Sequence, residues 1–372
     1  MNIIIIWGMP LIEDNAQTIC AIEKVRTLKK LGHEVFLISP SVPLSLYKYN
    51  QLKLPVLLLC QIPLFIKLFL KVIREKPDIL HSSSALILPS LIISRAFNIP
   101  HVVEVHGILS EDSKLVGVNK FVIKLMEICE FSSYRISKLI LTNSEGTKDD
   151  LIHNKKISPQ KISIIPNGAN IELFKKMNVS KKVLGLDEQN KYIIFVGNLA
   201  PWQGLACLVD SMPTIIQNNS GVRLLIVGDG ILKNELIQRV NELKLESVVD
   251  FKGSVPYEDI PKYINASDVC VAPFIKSRDN LMSPLKLFEY LSCEVPVVTS
   301  NIRGARELIE NNSCGLLFNP DDCNELAESI LKLLNDKKLR DEMGKRGRAA
   351  VVSGYSWESI TKKIESEYLQ LI

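Results

Sequence analysis

Short, uninterrupted apolar runs alternate along the chain with longer stretches whose apolar positions recur every three to four residues. The runs are IIIIW (3–7), EVFLIS (34–39), PDILH (77–81), HVVEV (101–105), KLILT (138–142) and ISIIP (162–166). They resume as YIIFVG (192–197), RLLIVG (223–228), VVDFKG (248–253), DVCVAP (268–273), VPVVTS (295–300) and GLLF (315–318). A strand wetted on one face alternates apolar and polar residues. Runs that stay apolar, with helices between them, predict parallel strands covered on both faces. Right-handed crossovers then give doubly wound sheets.

The series pauses between Pro166 and Asn190, where turn residues and charge replace periodicity. This predicts an α/β fold of two facing Rossmann-like domains, residues 1–180 and 181–355, with the segment 166–190 as hinge. The closing stretch, 356–372, has helical spacing and is expected to pack back across the first domain. Ligands of such sheets sit beyond the carboxyl ends of the strands, so chemistry is expected in the loops after strands, in an inter-domain cleft.

Composition narrows the class. With 372 residues, 47% hydrophobic and 23% charged, the chain suits two globular domains. Its eight cysteines form no CxxC pair and no Cys/His cluster, which argues against a disulfide framework or zinc site and fits a reducing cytosol. No basic leader precedes the first apolar run. The stretch Leu54–Ile73 is broken by Pro55, Gln61, Pro63, Lys67 and Lys71, so no spanning helix is expected. Residues 1–180 hold 22 Lys and Arg against 15 Asp and Glu, a charge of +7, while the remainder carries −3. Only the first half is therefore suited to an anionic partner. No nucleic-acid motif or aromatic-interleaved basic run is present, so nucleic acid is not expected as a partner.

The densest chemistry lies in SPLKLFEYLSCEVPVVTS, residues 283–300. Ser283 suits an N-cap and Pro284 the first helical position. A helix start offers free N–H groups and partial positive charge to a phosphate. Lys286 falls in the first turn, with Glu289 one turn deeper on the same face. A diphosphate beside Lys286 would bring ribose hydroxyls toward Glu289, which can accept from both. The plain alternative is a solvated i,i+3 ion pair. Lysine in a first turn opposes the macrodipole, and lysine before glutamate is the poorer order, so the pair asks for an external anion. FVGNLAPWQGL (195–205) adds a strand end at Gly197, a loop through Asn198 and Gln203, and a helix opening at Gly204. VGDG (227–230), with Gly228, is similar, though Asp229 could equally cap the next helix.

FVGNLAPWQGL, LLIVGDG, FKGSVPYEDI, SPLKLFEYLSCEVPVVTS and GARELIENNSCGLLF follow one another with a spacing that resembles family 4 of the retaining glycosyltransferases, of GT-B fold. IIPNGANIELF (164–174), TNSEGTKDDL (142–151) and PDILHSSS (77–84) extend the resemblance over nearly the whole chain. It implies transfer of a hexose from a nucleoside diphosphate sugar, such as a UDP-sugar, to a saccharide or lipid-linked saccharide, in polysaccharide or glycolipid synthesis. Glu289 would bind the donor ribose, the backbone of Ser283, Pro284 and Leu285 the phosphates, and residues after Gly253, including Val255, the nucleobase. The first loop, with Gly8 and Asn15, would serve the acceptor and phosphates.

His106, after the strand HVVEV, would contact the transferred sugar; the plain reading makes it a partner of a neighbouring loop. Glu104 is either a nucleophile or a strand carboxylate paired with a cation, and His81 is as readily structural as functional. Neither cofactor nor metal is expected, since no DxD cluster follows a strand.

Three positions depart from the family pattern. Asn198 and Gln203 stand where an Arg and a Lys often clamp the diphosphate, and Leu281 replaces an upstream glutamate. Lys286, with Arg278, would supply the missing charge. A nucleotide-binding but inactive homologue and a GT-B sugar-nucleotide epimerase remain the alternatives. Residues 63–75 place Leu64, Phe65, Leu68, Phe69 and Val72 on one face and Lys67, Lys71 and Arg74 on another. That is a core helix with a basic edge, or a peripheral contact with an anionic membrane at the cytoplasmic face.

Overall fold

The computed structural model describes residues 1–8, 11, 16–40, 61–115, 118–278 and 283–372. It divides into two compact units, one of residues 1–166 with 360–372 and one of residues 167–359.

Unit 1 holds β1 (Asn2–Ile6), β2 (Glu34–Ile38), β3 (Ile79–Ser82), β4 (His101–Val105), β5 (Leu139–Thr142) and β6 (Ile162–Ile164). Their order in the sheet is β2-β1-β3-β4-β5-β6, and every pair is parallel. The helices are α1 (Ala16–Lys30), α2 (Gln61–Glu75), α3 (Leu88–Phe97), α4 (Leu109–Leu115), α5 (Lys120–Ile136) and α6 (Glu145–His153).

Unit 2 repeats the plan with β7 (Lys191–Val196), β8 (Val222–Val227), β9 (Val249–Gly253), β10 (Val269–Ala272), β11 (Val297–Ser300) and β12 (Gly315–Phe318). These run parallel in the order β12-β11-β10-β7-β8-β9. Its helices are α7 (Leu205–Asn218), α8 (Lys233–Glu242), α9 (Ile260–Asn265), α10 (Leu285–Ser292), α11 (Arg303–Asn312), α12 (Cys323–Asn335) and α13 (Lys337–Ala350). The last helix, α14 (Trp357–Leu369), starts in unit 2 and ends in unit 1.

The uninterrupted apolar runs have the predicted cause. In β7 and β8, Ile194, Val196, Leu225 and Val227 enter one core cluster, while Ile193, Phe195, Leu224 and Ile226 enter another. Successive side chains of a strand point to opposite faces, so a sheet covered twice needs apolar residues at every position.

Two expectations are corrected by packing. Residues 167–180 belong to unit 2. Ala169 and Phe174 are fully buried in its core, and Arg348 ties the segment down by donating to the carbonyls of Ile171 (3.0 Å), Phe174 (2.6 Å) and Ser292 (2.9 Å). Turn-rich composition marked a break in strand rhythm here, not the edge of a core. Cysteine spacing argued against a disulfide framework, yet one pair, Cys207 and Cys323, is bonded, with Cα atoms 5.1 Å apart and a sequence separation of 116. They sit in the first turns of α7 and α12, which pack side by side, a proximity that linear spacing does not reveal.

Helix α13 supports α10 at close range. A Cβ on Gly344 would collide with the Glu294 carbonyl, and one on Gly347 would lie 2.6 Å from Leu291 Cδ2. Glu294 itself has φ 59°, a left-handed stop after α10 that leaves no backbone slack. Gly344→Ala is therefore expected to destabilise unit 2 by about 1–3 kcal/mol, the scale of overpacking. Denaturant unfolding reads this directly, and an unchanged midpoint would show that α13 can draw back without cost.

Candidate active site

The carboxyl ends of β7 and β8 meet at two glycines. Gly197 donates to Val227 O (2.9 Å), and Gly228 donates to Gly253 O (2.7 Å). Both have positive φ, 143° and 134°. A Cβ on Gly228 would strike the Gly197 carbonyl, and one on Gly197 would stand 2.8 Å from Lys286 Nζ. Glycine is thus what admits the lysine to the strand end.

Helix α10 is pinned to this spot by Tyr290, whose hydroxyl accepts from the Val196 N–H at 2.7 Å. One turn earlier, the Lys286 ammonium lies 3.9 Å from the Phe195 ring centroid and donates to Gln203 Oε1 at 2.8 Å. Burial pushes Lys286 down to about 7, against the opposing charge of Glu289. Glu289 is 5% exposed and accepts from the Tyr257 hydroxyl at 2.8 Å. Burial pushes its carboxyl up to about 7, with Tyr257 and Lys286 pulling the other way. Cation and carboxyl thus sit within one helical turn, each held by a neutral partner. A solvated ion pair would leave both near their ordinary values.

Other expected positions fall as follows. Ser283 is not the cap: α10 begins at Leu285 with Pro284 before it, and Ser283 accepts from the Asn167 N–H (3.1 Å) and side-chain amide (2.7 Å). Those bonds take Ser283 away from the helix start, where the Leu287 N–H turns back to the Pro284 carbonyl at 3.1 Å and no side chain caps the N–H groups of Leu285 and Lys286. Asn198 is exposed, its carbonyl accepting from Ala200 N, while Gln203 is buried as the partner of Lys286. Val255 is half-buried beside Tyr257 against the core of unit 2. Asp229 does not cap α8: it holds Lys233 at 2.7 Å and its neighbour's N–H. Asn15 and Leu281 lie outside the described residues, as does the side chain of Arg278.

In unit 1 the second cluster forms where β4 ends. Gly8 follows β1 and donates to Ser83 Oγ at 3.0 Å. Glu104 lies in β4 and His106 just past its end. Glu104 is 6% exposed and forms an ion pair with Lys24 of α1; His81 Nε2 stands 3.5 Å and His106 Nε2 3.6 Å from its oxygens. Burial opposes its charge, yet Lys24, His106 and His81 together hold the carboxyl well below its usual range. A carboxylate so enclosed and paired is a strand anchor rather than a nucleophile. His81 is structural in the same sense, its Nδ1 meeting the Tyr368 hydroxyl of α14 at 2.5 Å.

The His106 ring is about a quarter exposed, with Nδ1 3.4 Å from the Asn143 amide. Burial lowers its pKa, Glu104 opposes this, and Lys24 and His81 add to it, so a neutral imidazole is favoured near pH 7. Tyr257, Lys24 and Tyr368 escaped the sequence reading. Only for Lys24 was there a signal, a cation set inside the apolar face of α1.

Among known proteins, the model "Glycosyl transferases group 1" matches residues 176–350, and the model "Glycosyltransferase Family 4" matches residues 17–173. A UDP-Gal:alpha-D-GlcNAc-diphosphoundecaprenol alpha-1,3-galactosyltransferase of Escherichia coli is 31% identical over 80% of this chain and 77% of its own. The capsular polysaccharide biosynthesis glycosyltransferase CapM of Staphylococcus aureus is 28% identical over 85% and 83%. Among solved structures, sucrose-phosphate synthase of Thermosynechococcus elongatus superposes with TM-score 0.79 at 20% identity, covering 100% of this chain and 99% of that one. Anabaena HepE in complex with UDP gives 0.75 at 22%, with both chains covered completely. With two parallel six-stranded sheets of GT-B type, family models spanning both halves and a relative at this identity, the chain belongs to the family 4, group 1 glycosyltransferases.

Proposed function

We propose that the protein transfers a sugar from a nucleoside diphosphate sugar, a UDP-sugar first among them, to a saccharide or lipid-linked saccharide acceptor, with retention at the anomeric carbon. The observation that carries this reading is the buried Lys286–Glu289 turn at the strand ends of unit 2. Lys286 and the opening N–H groups of α10 bind the diphosphate and offset the charge that grows on it as it leaves. Glu289 accepts from the ribose hydroxyls. His106 contacts the transferred sugar. The UDP-sugar preference follows the E. coli relative and HepE, whose names carry UDP-Gal and UDP. Asn198 and Gln203 do not argue for an inactive homologue, because Gln203 holds in place a lysine that supplies the cation.

The acceptor reading has support in unit 1. Leu64, Leu68 and Val72 of α2 enter the core, as expected of one face. The opposite face is not simply basic: Ile62, Ile66, Leu70 and Ile73 are exposed there among Lys67, Lys71 and Arg74. Phe69 packs edge-on against Phe97 of α3, and Phe121 (71% exposed), Leu125 and Ile128 stand out on α5. No described helix is long and apolar enough to cross a bilayer. An apolar surface with a basic border suits an anionic lipid surface, where a lipid-linked acceptor would lie.

Thermal shift with UDP, GDP and ADP tests the donor. A nucleotide at ~100 times its dissociation constant stabilises by about 2.7 kcal/mol. Glu289→Gln is expected to weaken binding by about 1.5–3 kcal/mol, roughly ten- to a hundredfold. A full shift retained in the variant sinks the ribose assignment.

Affinity for that nucleotide should peak near pH 7. Below it Glu289 gains a proton and can no longer accept from both hydroxyls; above it Lys286 loses the charge that meets the diphosphate. Titration calorimetry across pH 5.5–9 with Lys286→Met, expected to lose the alkaline fall, checks the sign.

Vesicles of phosphatidylglycerol should sediment the wild type and release Ile66→Glu/Leu70→Glu. Equal sedimentation of the two would disprove the lipid-facing surface.

A further inference from the structure

We infer that Glu104 is a positioning residue that fixes the tautomer of His106, so that the imidazole presents Nδ1 as a hydrogen-bond acceptor to a hydroxyl of the substrate. The inference rests on the proposed role of His106 at the transferred sugar, and it assigns to Glu104 a part in that reaction.

Glu104 is buried at the end of β4, and the Lys24 ammonium, buried on α1, holds it ionised. An ionised carboxylate has lone pairs and no proton to give. His106 turns Nε2, not Nδ1, toward it, at 3.6 Å from Oε1, and that nitrogen is shut off from solvent. Were Nε2 unprotonated, its lone pair would face the carboxylate in a buried space, an arrangement that repels and leaves the nitrogen unsatisfied. Nε2 therefore carries the hydrogen. A neutral imidazole has one N–H, so Nδ1 is left as the acceptor.

The surroundings agree with this assignment. Nδ1 lies 3.4 Å from Asn143 Nδ2, a contact long enough to yield to a ligand hydroxyl. Among the described residues, the groups facing the pair are Lys24 from α1, His81 from β3, Asn143 after β5 and, behind His81, Tyr368 from α14. His81 spends Nδ1 on the Tyr368 hydroxyl and directs Nε2 at the other carboxylate oxygen. That shared grip stops Glu104 from rotating away from His106. A histidine oriented by a buried carboxylate, with its opposite nitrogen turned to substrate, is the division of labour an acceptor at this position needs.

The experiment is long-range proton–nitrogen NMR on full-length protein labelled at the histidine rings. The chain has five histidines, and His106→Asn assigns the signal of interest. The wild type is expected to show His106 with Nε2 protonated and Nδ1 bare. In Glu104→Gln the preference for that tautomer is lost and the ring's titration moves to lower pH, because Glu104 is the group that raises it. Removing the carboxylate alone strands Lys24, so Lys24→Met/Glu104→Gln provides a folded background for the tautomer reading if the single variant does not melt cooperatively. With nucleotide sugar and acceptor, kcat is expected to fall at least about a hundredfold, the low end of the range for a lost acid–base contact, while KM for the donor holds within about twofold.

A wild-type ring protonated at Nδ1 overturns the inference. So does a folded variant whose His106 keeps both its tautomer and its titration. Absence of turnover in the wild type would count against the transferase reading alone, since the tautomer is read without turnover.

Discussion

Every strand pair in both sheets is parallel, and that constraint governs where chemistry can occur in this protein. Parallel neighbours cannot be joined by a tight turn. Each must be linked by a crossover that returns the chain to the same edge. All strands of a sheet therefore release their carboxyl ends on one side, where loops are free to vary while the core is not. Gly197, Gly228 and Gly253 gather at that edge in unit 2, and Gly8, Ser83, His106 and Asn143 gather at it in unit 1. Residues from several loops converge because the ladder leaves them no other place.

At both edges the protein buries ionisable groups, and it treats their cost in two ways. Glu104 meets a full opposite charge in Lys24 and stays ionised. Removing either partner would leave an uncompensated buried charge, worth about 3–5 kcal/mol. Lys286 and Glu289 instead meet neutral groups, an amide, a phenol and an aromatic face, and both are drawn to about 7. The first arrangement is complete as it stands and suits a scaffold. In the second the two charges face each other only across a helical turn, and an anion with adjacent hydroxyls would supply what each member wants. The contrast separates a pair that is complete in itself from one that is not.

The close fit of α13 under α10 belongs to the same logic. A lysine held against a glycine tolerates little drift, so the helix that carries it is fixed at both ends. Tyr290 holds α10 to the end of β7, and the small residues Gly344 and Gly347 let α13 press on its far turn. Rigid support from outside the site is how a short helix can aim one charge at one place.

From the sequence alone came the double-wound plan, each strand within about a residue or two, the placement of Lys286 and Glu289 on one turn, and His106 at a strand end. All of these follow from periodicity and local geometry, which a linear pattern carries directly. Tertiary structure decided the rest. Lys24, Tyr257 and Tyr368 joined their sites from helices and loops far along the chain, Gln203 became the partner of Lys286 rather than an empty position, and Cys207 found Cys323. Pro284, not Ser283, stands before α10, because Asn167 competes for the serine. Residues 167–180 joined the second unit because Arg348 and the burial of Phe174 bind them there. Such outcomes depend on which surfaces meet after the chain has crossed over many times, and burial then sets the charge states. Neither quantity is written in the spacing of residues along a strand or helix.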